Sequence, residues 1–528
     1  MLPTKQKIIA FRSKVIDIPT VLFLLGALSF LYCFLFIPPF LPVEGNGIGD
    51  CFAYLAPGQR MYQGEMIYRD VFEFVTPGTA LVNLLMFKLF GLRLWIPDVL
   101  ALLLELGLVW LGVVISRKLM RPSLALLPSM MFLVSARTYL LDPTQHWYSL
   151  LAAIAAIAVL IERRTPARIA AAGFLCGLSA CFNQATGLVA VAGFALFLLW
   201  ESRQRQESWR RLLKKEVSLA TSFLTTLLAV NAYFIWKAGP ARFFWCTIVF
   251  VLKYHSKQAD VNSFLALETF FPAFTSLREF LHPFAAWLFL FAVIPLAYIL
   301  FFARYWRECR KKPLEYWERP MLVAIVGFFM LLSAARAPDW VRMATVSLPA
   351  LILLGWLLDS PRKLTRMLVV ALTVGTLLFA LRAVARQRPI PVGILDTPQG
   401  RLAFTGQIPF LKYTWIQQHT QPLDYFYDPM DPEQSFVLNL RNPTPLSLTM
   451  NNGYTTQEQV TEVIRGLEQH RVRYILWPPG GLDKLPGWEN PSDDHLGPLR
   501  DYIHGHYTRV TVFPDADEIW ERQAEQDR

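Results

Sequence analysis

Charge is scarce in this chain of 528 residues. Only 17% are Asp, Glu, Lys or Arg, against about 25% in soluble domains. The length would allow several domains, but there is too little polar surface to solvate them. Cysteine is also scarce. Six in the whole chain exclude a disulfide scaffold. Low hydrophobicity, which disorder requires, is missing too, because 54% of the residues are hydrophobic. The sequence has no Walker phosphate loop, which disfavours ATP-driven transport. It has no HExxH and no paired CxxC, so a zinc site is unsupported. No long repeat or low-complexity tract occurs.

The abundant feature is the long apolar run. A membrane span needs about 20 mostly apolar residues. Eleven stretches qualify, near 18–40, 94–115, 122–136, 147–161, 168–182, 185–200, 216–236, 283–303, 320–335, 343–358 and 366–383. The loops between them test the reading through the positive-inside rule. Lys5, Lys7, Arg12 and Lys14 precede the first run. Every second loop is then basic, at Arg117–Arg121, Arg163–Arg168, Arg203–Lys215, Arg304–Lys312 and Arg362–Arg366. This alternation predicts a cytoplasmic N-terminus and a C-terminus on the opposite face. No cleavable signal peptide is evident, because the first run is long and ends in Ile37-Pro-Pro-Phe.

The character changes after about residue 383. Residues 384–528 carry 13 basic and 19 acidic residues, a net −6, which leaves +17 on the rest of the chain. The overall +11 is therefore mainly an orientation signal and poor support for nucleic-acid binding. The expected architecture is a polytopic α-helical membrane domain over 1–383 and a small soluble α/β domain over 384–528. Within the latter, 435–440, 472–477, 507–513 and 518–522 read as strands. Residues 455–470 read as an amphipathic helix with Val460, Val463, Ile464 and Leu467 on its apolar face.

Two loops expected outside are long, at 41–93 and 237–282, and long loops are often functional. In the first, Gly45, Gly47 and Gly49 lead to Asp50 at the membrane boundary. An amphipathic helix follows, then Tyr68-Arg69-Asp70, then Pro77-Gly78 and a second amphipathic stretch ending at Gly91. Asp50 reads either as a helix cap or as a carboxylate for proton transfer. Asp70 reads either as a turn residue paired with Arg69 or as a participant.

The remaining candidates lie further along. His146-Trp147 starts the fourth span, where Trp147 and Tyr148 suit membrane anchoring. Gln184 sits between two spans and suits a helix end or a polar ligand. The second long loop offers Lys253 within an apolar and basic stretch. Arg336 and Arg342 join the ninth and tenth spans. Cys51 and Cys246 are both expected outside and could pair. His504-Gly-His506 is a weak metal pattern in a surface turn.

The first-loop pattern resembles the GT-C membrane glycosyltransferases. More narrowly, it resembles the aminoarabinose-transferase and protein O-mannosyltransferase-like branch, close to glycosyltransferase family 39. The matching features are an acidic residue ending the first span, a helix, Tyr68 and Asp70 with Pro77-Gly78 after them, and Leu89-Phe90-Gly91 before the second span. The resemblance implies a polyprenyl-phosphate sugar donor and a glycan, lipid or protein hydroxyl as acceptor. It implies chemistry on the outer face of a bacterial inner or plasma membrane.

It places the catalytic carboxylate on Asp50, with Asp70 as a second catalytic candidate. Substrate binding falls on Tyr68, Arg69, His146, Gln184, Lys253, Arg336 and Arg342. The family's usual acidic pair is absent, because Cys51 follows Asp50. Glu44, Asp70 and Glu73 are the candidates for a second carboxylate. No cofactor is implied, and a divalent metal is unsupported by the sequence. A transporter of lipid-linked sugars and a non-catalytic glycan-binding membrane protein are the alternatives. Charged residues gather at span ends with Glu105 as the clearest exception, which disfavours transport.

Overall fold

The computed structural model describes residues 50–138, 142–255, 288–335, 340–386, 391–484 and 491–524. The expected span at 18–40 and position Arg336 lie outside them.

The long first loop folds into two helices, α1 (Asp50–Tyr62) and α2 (Gly78–Phe90), which pack against each other. The bundle follows: α3 (Trp95–Ser116), α4 (Leu127–Thr138), α5 (Gln145–Leu160), α6 (Pro166–Phe182), α7 (Gln184–Gln204) and α8 (Trp209–Ala238). A short helix Pro240–Phe244 then runs into a π-helical turn, Trp245–Phe250, and a last turn Val251–Lys253. The later bundle helices are α9 (Ile294–Glu308), entered through a π-helical turn Leu288–Val293, then α10 (Leu314–Ala335), α11 (Ser347–Leu358) and α12 (Lys363–Arg386). Among the described residues, six helices are long and apolar enough to cross a membrane, namely α3, α7, α8, α9 with its preceding turn, α10 and α12. The chain is an integral membrane protein. The expected spans at 122–136, 147–161, 168–182 and 343–358 coincide with shorter apolar helices.

The basic loops meet at one end of the bundle. Lys118 pairs with Glu162, and Arg121 with Asp359 at 2.5 Å. Arg164 reaches Glu201 at 3.1 Å, Arg205 pairs with Glu318, and Lys215 meets Glu207 at 2.7 Å. Except for Lys215–Glu207, these pairs join the ends of helices far apart in sequence. Glu201 and Arg164 are buried, and each charge is matched by the other. At this end the excess cations are partly neutralised by carboxylates carried on the helix ends.

The opposite end carries α1, α2 and the residues after 390. There, β1 (Gly393–Thr397) and β2 (Gly400–Phe404) form an antiparallel hairpin, followed by α13 (Gln407–His419). A four-stranded sheet comprises β3 (Phe426–Tyr427), β4 (Tyr474–Trp477), β5 (Tyr507–Val512) and β6 (Glu518–Arg522), in the order β3-β4-β6-β5. The β3–β4 pairing is parallel and the others are antiparallel. Helices α14 (Gln457–Gln469) and α15 (Gly497–His506) pack beside it. A capping box between Thr456 and Gln459 starts α14. As its periodicity implies, Val460, Val463 and Leu467 are buried.

Several expectations change. Residues 435–440 are not a strand. Glu433–Val437 forms a short helix, entered where Asp431 accepts from the Glu433 amide at 2.8 Å. Cys51 and Cys246 form no disulfide and occupy different apolar clusters. Trp147 and Tyr148 are buried in the bundle, and Tyr148 stacks on Phe182 with ring centroids 4.9 Å apart. They pack the interior, where anchors at the membrane interface would be exposed. His504 and His506 lie in the last turn of α15, and no metal-ligand cluster occurs among the described residues.

Candidate functional site

The first loop is pinned against three other parts of the chain. Arg60 in α1 donates to the Thr444 carbonyl at 2.7 Å, and Gln59 to the Ser435 carbonyl at 3.0 Å. The Phe72 amide donates to the Pro445 carbonyl at 2.8 Å. Thr76 reaches the Ala180 carbonyl at the end of α6, also at 2.8 Å. Gly78 explains the Pro-Gly pair: a Cβ there would sit 2.5 Å from the Cys181 carbonyl oxygen. The close crossing of α2 over the end of α6 therefore excludes any side chain.

Below this strap lies a cavity of about 840 Å³, a typical size for a small-molecule site. Its walls come from α1, the strap 72–76, the starts of α5 and α7, the end of α8, the Pro240–Lys253 segment, the helix Trp340–Thr345 and residues 447–454. The rim on one side is apolar and faces outward. Leu188 on α7 is 53% exposed, Leu228 on α8 61% and Leu252 63%, and all three line the cavity. Two of these leucines are on helices long and apolar enough to cross a membrane, α7 and α8.

The polar lining is sparse and ordered. His146 sits between Gln145, at 3.2 Å, and Asn183, at 3.4 Å. Gln145 also donates to the Tyr54 hydroxyl of α1. Asn183 links α6 to α7 and caps α7 by accepting from the Thr186 amide at 3.1 Å. Arg342 and His255 lie close enough to His146 for their charges to act on its ring. Among the described residues, Arg342 is the one Arg or Lys in the lining and Glu73 the one carboxylate. Glu73 is half-buried and accepts from the Val75 amide at 2.9 Å. Burial pushes its carboxyl up to about 7, against the opposing effect of the Val75 and Phe74 amides.

The residues expected from sequence divide accordingly. His146, Gln184 and Arg342 line the cavity. Asp50 opens α1, one turn before Ala53 and Tyr54, which also line it. Tyr68, Arg69, Asp70 and Lys253 do not line it. Tyr68 is fully buried, adopts φ +67°, and donates to the Val75 carbonyl at 2.6 Å, so it shapes the strap from behind. Arg69 and Asp70 form an exposed pair at 2.7 Å. Asp70 also accepts from the Met66 amide at 2.9 Å. The hydrogen bond from Arg69 holds its carboxyl below the usual range. Lys253 is exposed beside the Tyr254 ring. Of the three candidates for a second carboxylate, Glu73 reaches the cavity and Asp70 does not. Glu44 lies outside the described residues.

No family model and no curated protein sequence matches this chain. Solved structures do. ArnT from Cupriavidus metallidurans bound to undecaprenyl phosphate superposes with a TM-score of 0.59 at 12% identity, covering 95% of this chain and 98% of that one. The archaeal oligosaccharyltransferase AglB from Archaeoglobus fulgidus, in complex with an inhibitory peptide and a dolichol-phosphate, gives 0.53 at 12% identity. That match covers 97% of this chain and 74% of AglB. The chain has the GT-C fold. The GT-C likeness extends over nearly the whole chain, so it includes the mixed helix and strand segment as well as the helix bundle.

Proposed function

We propose that this protein is an integral-membrane glycosyltransferase. It moves a sugar from a polyprenyl-phosphate donor to a hydroxyl of a glycan, lipid or protein acceptor. The observation that carries this reading is a cavity that holds Arg342 in its lining and has exposed leucines on its rim, in a GT-C fold. Such a cavity suits a ligand with an anionic head and a hydrocarbon tail. Arg342 would hold the phosphate by charge-assisted hydrogen bonds, with His146 beside it. Arg336, outside the described residues, is the alternative phosphate ligand from the sequence pattern.

The chemistry balances simply. An acceptor hydroxyl oxygen attacks the anomeric carbon. The bond from that carbon to the phosphate oxygen breaks, and the polyprenyl phosphate leaves with the electron pair. The hydroxyl proton passes to a carboxylate, assigned to Asp50 as general base. Fixed cations stabilise the charge that develops on the leaving phosphate. We further propose that 1–383 and 384–528 are separate domains. The basic loops would face the cytoplasm, and the cavity and residues 384–528 the outside.

The test is Asp50→Asn in reconstituted protein given labelled polyprenyl-phosphate sugars. Transfer should fall by at least a hundredfold while binding of undecaprenyl phosphate is retained. Unchanged transfer would remove Asp50 from the role of base.

A further inference from the structure

Two kinds of polar group line the cavity. Arg342 and His146 are one, with His146 held between Gln145 and Asn183. Glu73 is the other, and it accepts from the Val75 amide at 2.9 Å. An anionic phosphate would be repelled by Glu73, and a hydrocarbon chain would leave it unsolvated. Three aromatic rings share the cavity lining with Glu73, beginning with its chain neighbour Phe74. Phe74 and His255 have centroids 5.0 Å apart. Tyr454 closes the group edge-on, 6.0 Å from Phe74 and 6.2 Å from His255.

Tyr454 comes from a stretch more than 370 positions beyond Glu73 and is held firmly. Its amide donates to Asn452 at 3.1 Å, Asn451 donates to the Lys484 carbonyl at 2.9 Å, and the Met450 amide donates to Thr455 at 2.9 Å. Asn451, Asn452 and Thr455 are buried.

Resting on the transferase reading, we infer that Glu73, Phe74, His255 and Tyr454 form a subsite for a sugar ring. The carboxylate accepts hydrogen bonds from ring hydroxyls. The C–H faces of the ring pack on aromatic π faces, which carry the negative part of the quadrupole. A carboxylate beside aromatic rings suits an amphipathic ring with hydroxyls on its edge. It suits neither a bare phosphate nor an alkyl chain. Residues 447–454 thereby complete the site, and the segment after 390 takes part in choosing the sugar.

The ring belongs either to the donor or to a glycan acceptor, and two arms of one experiment separate them. The full-length protein in lipid nanodiscs is titrated with undecaprenyl phosphate and with a panel of undecaprenyl-phosphate hexoses and pentoses. In a parallel arm it is titrated with short soluble glucans. Glu73→Gln and Tyr454→Ala should each weaken the preferred sugar ligand about tenfold. Both should leave undecaprenyl phosphate within twofold of wild type, which also certifies their folding. Tyr454→Phe, which keeps the ring, should stay within twofold throughout. Losses confined to the sugar phosphates assign the ring to the donor, and losses confined to the glucans assign it to the acceptor. Sugar affinities indifferent to both variants, with normal lipid-phosphate binding, overturn the subsite alone. Failure of the wild type to bind undecaprenyl phosphate overturns the transferase reading and the subsite with it.

Discussion

The side-chain amide of Gln184 donates to the Phe74 carbonyl at 2.9 Å, tying the first loop to the start of α7. The same nitrogen lies 3.4 Å from the Thr247 carbonyl in the π-helical turn. One side chain thus sets the distance between three walls of the cavity. Gln184→Glu keeps the shape and removes the donor, leaving a carboxylate facing two carbonyl oxygens. The expected cost is about 1–3 kcal/mol. It should be read as a lower unfolding midpoint at pH 8 that recovers as the introduced carboxyl protonates. A midpoint unchanged at pH 8 would show that the strap is held by its other contacts.

Gly78 gives a sharper packing test. An added Cβ would lie 2.5 Å from the Cys181 carbonyl oxygen and 2.7 Å from the Phe182 ring. Backbone cannot yield as a flexible side chain does, so Gly78→Ala should destabilise by about 1–3 kcal/mol. Gly480→Ala is the matched control, because nothing lies within 4 Å of its Cβ position. It should fall within about 0.5 kcal/mol of wild type. Thermal unfolding of the two purified variants side by side decides the point.

What was legible in the sequence follows from the range of each interaction. Apolar runs and alternating basic loops are local, so the helices from α3 to α12 could be placed from them. Pro77-Gly78 was visible as a pattern, but its cause, the carbonyl of Cys181, lies a hundred positions away. The stretch 435–440 was read as a strand because a short apolar run is ambiguous between buried strand and buried helix. The arbitrating signal was Asp431, which caps the turn. Glu73 was one of three candidate carboxylates. Only the path of the strap separates it from Asp70, which turns outward to Arg69. Tyr454 gave no signal, since nothing in a polar loop announces contact with a residue near position 74.

Tyr68 tests whether the strap is shaped from behind. Its hydroxyl donates to the Val75 carbonyl at 2.6 Å, and its ring packs edge-on against Phe243 with centroids 4.9 Å apart. Tyr68→Phe retains the ring and leaves a buried carbonyl unmatched, at a cost of about 1–3 kcal/mol. Sugar-ligand affinity should fall more than undecaprenyl phosphate affinity, because Val75 neighbours Glu73 and is remote in sequence from Arg342. Equal loss for both ligands would show a general disturbance of the cavity and no specific support of the strap.

Glu73 makes stability depend on pH in a definite direction. Its carboxyl is pushed up to about 7 by burial, above an ordinary value of 4.5. The folded protein therefore binds this proton more tightly than the unfolded chain does. Between about pH 4.5 and 7 the native state holds more protons, so this group's contribution to stability falls as pH rises. Above pH 7 the full cost of the buried charge is present, and below 4.5 it is absent. Glu73→Gln is neutral at every pH and keeps a similar shape. It should match wild type at pH 4.5 and exceed it by about 1–3 kcal/mol at pH 8. The measurement is the difference between the two unfolding midpoints across that window. A difference that does not vary with pH would place the carboxylate in contact with water or a cation.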